Sequence, residues 1–167
     1  MTLKEGYSIE KMIRPERKVI LKRAYTAKDY WTHGQEVGFQ HWGRLKQVQG
    51  SLYGEPMGMW FAEKYRPAGT SEYVMGIEVP IAYDEAVPDD MEIVTLSACT
   101  YLLFKGPQFT EGSLREASEQ LQNVIDGSRI EDMGLEWFLD SEQPIIEYDP
   151  LPGRGCIFAY PVTAKAR

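Results

Sequence analysis

Gln143-Pro144-Ile145-Ile146-Glu147-Tyr148-Asp149-Pro150 is bounded by prolines and holds one carboxylate between bulky apolar neighbours. Its length and apolar content read as a strand. Strand side chains alternate between faces. Ile146 and Tyr148 therefore point one way, and Ile145 and Glu147 the other. With Ile146 and Tyr148 packed on helices, Glu147 stands on the opposite face of the sheet. An acid there is cheap to hold in open water and costly in a pocket, unless a cation offsets the cost. The flanking chain bears on which of the two applies.

Outward from this stretch the pattern repeats. Residues 150–155 read as a turn and 156–162 as the last strand. Residues 135–139 are an early strand or a loop. Residues 110–127 form the clearest helix: Ser113 and Glu116 make a capping box, and Leu114, Ala117, Leu121, Val124 and Ile125 draw the apolar stripe. Residues 92–97 and 100–105 read as one strand bent at Ala98-Cys99. Before an acidic, proline-containing linker at 84–90, a strand at 72–80 alternates Tyr73, Met75, Ile77 and Val79. A strand at 56–63 sets Met57, Met59 and Phe61 against Gly58, Trp60 and Ala62. A helix with a Thr26 cap and an acid at Asp29 is expected to run to about residue 48, with Gly34 and Gly38 as weak points. Residues 17–25 are the first strand and 1–16 a loose lead-in.

Both halves thus read strand, helix, strand, strand, about 17–80 and 91–163. The expected fold is α+β: one domain over 1–167, with duplicated β-α-β-β units in one curved antiparallel sheet. Both helices would lie on one face, leaving the other for a ligand cleft between the halves.

At 167 residues, with 43% hydrophobic and 26% charged residues, the chain has the composition of an ordinary globular domain. A net charge of −7 disfavours direct nucleic-acid binding, which rests on basic patches. Residues 1–16 lack the apolar core of a signal peptide, and no apolar run approaches the ~20 residues of a membrane helix. Cytoplasmic placement follows as the default, with Cys99 and Cys156 as buried thiols rather than a disulfide. His33 and His41 lie eight residues apart, outside metal-pair spacing, so no metal is expected. No Gly-rich phosphate loop and no Ser-His-Asp arrangement can be placed, and no cofactor is expected.

Several runs resemble the GyrI-like small-molecule-binding domain, the effector-binding module of AraC-type and multidrug-responsive regulators, also found as a stand-alone protein. They are residues 88–96 (PDDMEIVTL), 99–107 (CTYLLFKGP), 144–149 (PIIEYD), 159–162 (AYPV) and, more briefly, 73–79 (YVMGIEV). Residues 1–56 carry little of the resemblance. It implies the duplicated fold, a cleft lined by aromatics, and a glutamate on the 144–149 strand that meets cationic aromatic ligands. Glu147 matches that glutamate. Some relatives are hydrolases of cyclopropane-containing alkylating natural products and use glutamates to activate water. There is no candidate helix-turn-helix here.

The expected ligand site is Glu147 with Trp60, Tyr101, Phe109 and Trp137; Glu78 is a second acid for the cleft face or a solvent-exposed one. The leading function is binding of amphipathic, cationic aromatic compounds for sensing or sequestration. One alternative is a hydrolase with Glu147 as general acid or base. Another is a protein-binding inhibitor module with a shallow sheet face. A protein partner or homodimer stays open.

Overall fold

The computed structural model describes residues 2–166. Among the described residues nine strands make one antiparallel sheet: β1 (Ser8–Arg14), β2 (Arg17–Arg23), β3 (Met57–Trp60), β4 (Tyr73–Pro80), β5 (Glu92–Leu96), β6 (Cys99–Lys105), β7 (Leu135–Trp137), β8 (Ile145–Glu147) and β9 (Ile157–Ala164). Their order is β1-β6-β9-β8-β3-β4-β2-β5, with β7 on the end of β9. The helices are α1 (Tyr30–Val37), α2 (His41–Lys46) and α3 (Leu114–Asp126).

The architecture is α+β with a duplicated plan. In β2-α1-α2-β3-β4 the third strand lies between the first two, and the same holds for β6-α3-β8-β9. The units meet where β3 pairs with β8, in the register Gly58–Glu147, Met59–Ile146 and Trp60–Ile145. The stretch at 143–150 is thus a central strand of the whole sheet.

Residues 8–14 are not a loose lead-in but strand β1, and residues 92–105 are two strands rather than one bent strand. Each extra strand crosses to the other unit. β1 is separated from β2 only by Pro15 and Glu16, yet it pairs with β6. β5 leads into β6 through Ser97 and Ala98, yet it pairs with β2. Short links therefore tie the two ends of the sheet order together, and the sheet rolls up. One face becomes an interior holding Met12, Val19, Leu21, Met57, Met59, Val74, Leu96, Tyr101, Leu103, Ile146 and Ala159. Each large apolar side chain buried there contributes roughly 1.5–3 kcal/mol.

The helices pack on the outer face. Leu45 of α2 joins Ile20, Met75, Ile77 and Val79. Leu121 and Ile125 of α3 join Leu102 and Phe104. α1 and α2 lie against β4, and α3 against β6.

The roll reverses the expected side for Glu147. Ile146 and the aromatic part of Tyr148 point into the interior and meet other strands, not helices. Glu147 stands on the helix-bearing face, between the two helical regions. The face expected to be bare is the closed interior.

The first helix starts later than expected and is broken. Its N-cap is Asp29, whose carboxylate accepts from the Thr32 amide and hydroxyl, each at 2.8 Å. Gly38, at φ +102°, ends α1, and Phe39 folds back so closely on Gly34 that a Cβ there would lie 2.1 Å from its ring. α2 follows. In α3 the expected capping box does not form. Ser113 instead shares a 2.9 Å hydrogen bond with Thr110, and Glu116 accepts from Gln120 at 3.1 Å. Among the described residues no helix is long and apolar enough to cross a membrane.

Candidate functional site

Ladder register builds the site. Directly paired residues share a face, so Met75, Gly58, Glu147, Phe158 and Phe104 form one row across the outer face. Trp60 and Tyr73 are paired one step along. Their rings lie 5.1 Å apart, and Trp60 lies 6.4 Å from Phe158. Gly58 leaves room beside Glu147 that the Tyr73 hydroxyl fills. A Cβ on Gly58 would lie 2.7 Å from that oxygen. The aromatic row continues through Tyr160, 6.5 Å from Phe158, to Trp137, 5.5 Å from Tyr160.

Glu147 is half-buried in this row, and its carboxylate has no ion pair or hydrogen bond among the described residues. Burial pushes its pKa up to about 7, and the carboxylates of Asp29 and Asp149 add to the push. Tyr73 is only 2% exposed, and its hydroxyl also lacks a hydrogen-bond partner among the described residues. Burial raises the Tyr73 pKa, and the charges of Glu147 and Asp29 reinforce it. Cys156 is pushed up to about 11 by burial and then by Glu147. Every charge that acts on Glu147 here is negative.

On the α1 side, Glu36 accepts the backbone N–H groups of Tyr25, Thr26 and Ala27 and the Thr26 hydroxyl, at 2.8–3.1 Å. This pins the segment ahead of α1. The Trp60 indole N–H then donates to the Lys28 carbonyl at 2.9 Å. Asp29 and Tyr30 are thereby carried to the edge of the Trp60–Tyr73 pair. On the α3 side, Tyr7, Phe109, Ala117 and Cys156 line a half-open cavity of about 120 Å³. A wider depression of about 320 Å³ lies elsewhere, among Ile13, Cys99, Phe138 and Val162. Neither is lined by Glu147 or Trp60.

The residues expected at one site thus fall in three places. Glu147 and Trp60 share the central row, and Trp137 stands at its far end. Phe109 lies in the α3-side cavity. Tyr101 is on the other face, fully buried in the interior, where its hydroxyl donates to the Pro144 carbonyl at 2.7 Å. Its parity on β6 puts it there: Leu102 and Phe104 take the outer face.

Glu78 is neither a cleft acid nor exposed. It is 1% exposed in the interior, paired with Arg14 and, at 2.7 Å, with Arg17. Arg14 also donates to the Tyr148 hydroxyl at 2.6 Å, and its guanidinium lies 4.3 Å from the Tyr53 ring centre. Arg17 donates to Gln143 at 2.9 Å. The interior network therefore holds both ends of the β8 stretch while Glu147 faces out between them.

His33 and His41 are buried, with rings 6.3 Å apart, and each bonds a backbone carbonyl. Among the described residues no set of three or more His, Cys, Asp or Glu is placed to hold a metal. Cys99 and Cys156 are free buried thiols. Tyr73, Asp29, Phe158 and Tyr160 belong to the site's surroundings without being singled out by sequence. Tyr73 and Tyr160 show only alternation with core residues, and Asp29 only helix-start chemistry.

No protein-family model matches the sequence, and no curated protein matches it. Solved structures do. EcmrR in its cryo-EM complex with DNA aligns at TM-score 0.54 and 16% identity, over 96% of this chain and 59% of that one. The chain therefore spans less than two thirds of EcmrR. A Staphylococcus aureus MU50 protein named for bacterial transcription regulation aligns at 0.50 and 12%, over 96% and 98%. SAV2435, solved bound to tetraphenylphosphonium, aligns at 0.48 and 12%, over 96% and 94%. For EcmrR and the Staphylococcus aureus MU50 protein the likeness, at these identities, is one of fold.

Proposed function

We propose that the chain binds a small organic cation with a flat apolar body on the outer face of the sheet, at Glu147. The observation that carries this reading is the Glu147 carboxylate itself. It is half-buried among Trp60, Tyr73 and Phe158 with no cation beside it. A carboxylate desolvated without a partner costs stability, and a fold keeps such a group where something else supplies the partner. Aromatic faces add cation–π attraction of roughly 0.5–2 kcal/mol each when desolvated. The resemblance to GyrI-like effector-binding domains points the same way. Sensing or sequestration in the cytoplasm is the role this binding would serve.

Titration with N-methyl-4-phenylpyridinium, followed by tryptophan fluorescence, tests the reading. Wild type binds, and Glu147→Gln binds at least about tenfold more weakly, a loss of roughly 1.4 kcal/mol. Equal binding by both proteins, or none by either, sinks it.

A second reading is a hydrolase of strained electrophiles in which Glu147, whose carboxyl burial pushes up to about 7, serves as general acid or base. Turnover of a cyclopropane substrate by wild type, lost in Glu147→Gln, would establish it.

A further inference from the structure

We propose that Asp29 is a second anionic subsite, so that the outer face of the sheet at Glu147 prefers compact organic dications, one charge at Glu147 and the other at Asp29. This rests on the cation-binding reading of Glu147.

The two carboxylates come from distant parts of the chain and are brought together by fixed contacts. Glu36 holds residues 25–27, and the Trp60 indole holds the Lys28 carbonyl at 2.9 Å. Asp29 follows directly, and its position is set by capping α1. Trp60 lies two residues along β3 from Gly58, on the same face, and Gly58 is the residue opposite Glu147. The indole bond to Lys28 and the Gly58–Glu147 pairing thus bring Asp29 and Glu147 to the neighbourhood of the same Trp60 side chain.

Tyr73 supplies an independent sign of a ligand. Its side chain is almost wholly buried, it points over Gly58 toward Glu147, and its hydroxyl has no hydrogen-bond partner among the described residues. The hydroxyl is the polar tip of an otherwise enclosed ring, set over Gly58 on the row that holds Glu147 and free to donate to a bound molecule. Asp29 uses one oxygen, Oδ1, for the cap. The other has no partner among the described residues and is exposed.

The structure of Asp29 also makes the test clean. Asn caps a helix about as well as Asp, so Asp29→Asn removes the charge and keeps α1. Methyl viologen and N-methyl-4-phenylpyridinium are rigid, nearly isosteric cations of charge two and one. Their dissociation constants are compared for wild type, Asp29→Asn and Glu147→Gln at pH 8 and moderate salt. Wild type is expected to bind methyl viologen about three- to tenfold more tightly, the modest size reflecting an exposed charge. In Asp29→Asn the dication loses more affinity than the monocation, and the preference for the dication falls to near equality. In Glu147→Gln both weaken.

Equal affinity of wild type for the two probes overturns the Asp29 subsite and leaves the Glu147 reading standing. A dication preference that survives Asp29→Asn does the same. Absence of binding by either probe overturns both readings together. Circular dichroism of Asp29→Asn confirms that α1 is intact.

Discussion

Glu78 and Glu147 are carboxylates on opposite faces of one sheet, each removed in large part from water. Glu78 sits inside the roll with two guanidiniums, three tyrosine rings around Arg14, and no exposure. Glu147 sits outside with aromatic rings, other acids and an unbonded hydroxyl, and no cation. The first has every partner it needs within the chain, so its role ends with the fold. The second has none among the described residues, and the proposed cation would supply it. Burial alone does not distinguish the two acids; the presence of a countercharge does.

That contrast can be broken from either side. The largest effect is expected at Glu78. Glu78→Gln leaves Arg14 and Arg17 buried without an anion, and should cost about 3–5 kcal/mol of stability by urea unfolding. A loss below about 1 kcal/mol would mean the interior pair is not closed to water.

Glu147 should behave in the opposite sense. Its carboxyl ionises near its ordinary 4.5 in the unfolded chain and near 7 in the fold. Between those values the folded state holds the extra proton, so stability falls as pH rises through the window. The full effect is up to roughly 3 kcal/mol. The groups that face it are Asp29, Asp149, Tyr73, Cys156 and Tyr160. Glu147→Gln should therefore match wild type near pH 5 and exceed it near pH 8, read by thermal unfolding. A variant less stable at pH 8 would show that Glu147 has a countercharge after all.

Gly58→Ala tests the space between them. The added Cβ would press on the Tyr73 hydroxyl and ring. A loss of about 1–3 kcal/mol is expected, with weakened cation binding in fluorescence titration. Asp29 gives the smallest change: Asp29→Asn should leave stability within a few tenths of a kcal/mol, and Asp29→Ala should cost about 1 kcal/mol through the lost cap. Equal losses in both would assign Asp29 a structural ion pair instead.

Much of the fold was legible because its signals are local. Alternation marked β3, β4, β8 and β9, and the apolar stripe marked α3. β1 was not legible: Ile9, Met12 and Ile13 break strict alternation, as suits a strand at the sheet margin with Ile13 70% exposed. The division of β5 from β6 was hidden because adjacent strands in sequence pair with opposite ends of the sheet. Parity correctly separated Glu147 from Ile146, but parity cannot say which face carries helices. That depended on the roll, a property of all nine strands. The partners of Glu78 lie 61 and 64 residues away, beyond any local pattern. The interior placement of Tyr101 was hidden for the same reason. Its aromatic character was visible, but its side of the sheet was not.

The exchange of β1 and β5 has a consequence for how the molecule holds together. Three ladders, β1–β6, β2–β5 and β3–β8, join residues 8–80 to residues 92–164. Neither half carries the strand that covers its own margin; each lends that strand to the other. The halves are therefore duplicated in plan and inseparable in stability. A chain cut within the 84–90 linker should yield two fragments that are each unfolded alone and reassemble on mixing. Each fragment would serve as the template for the other.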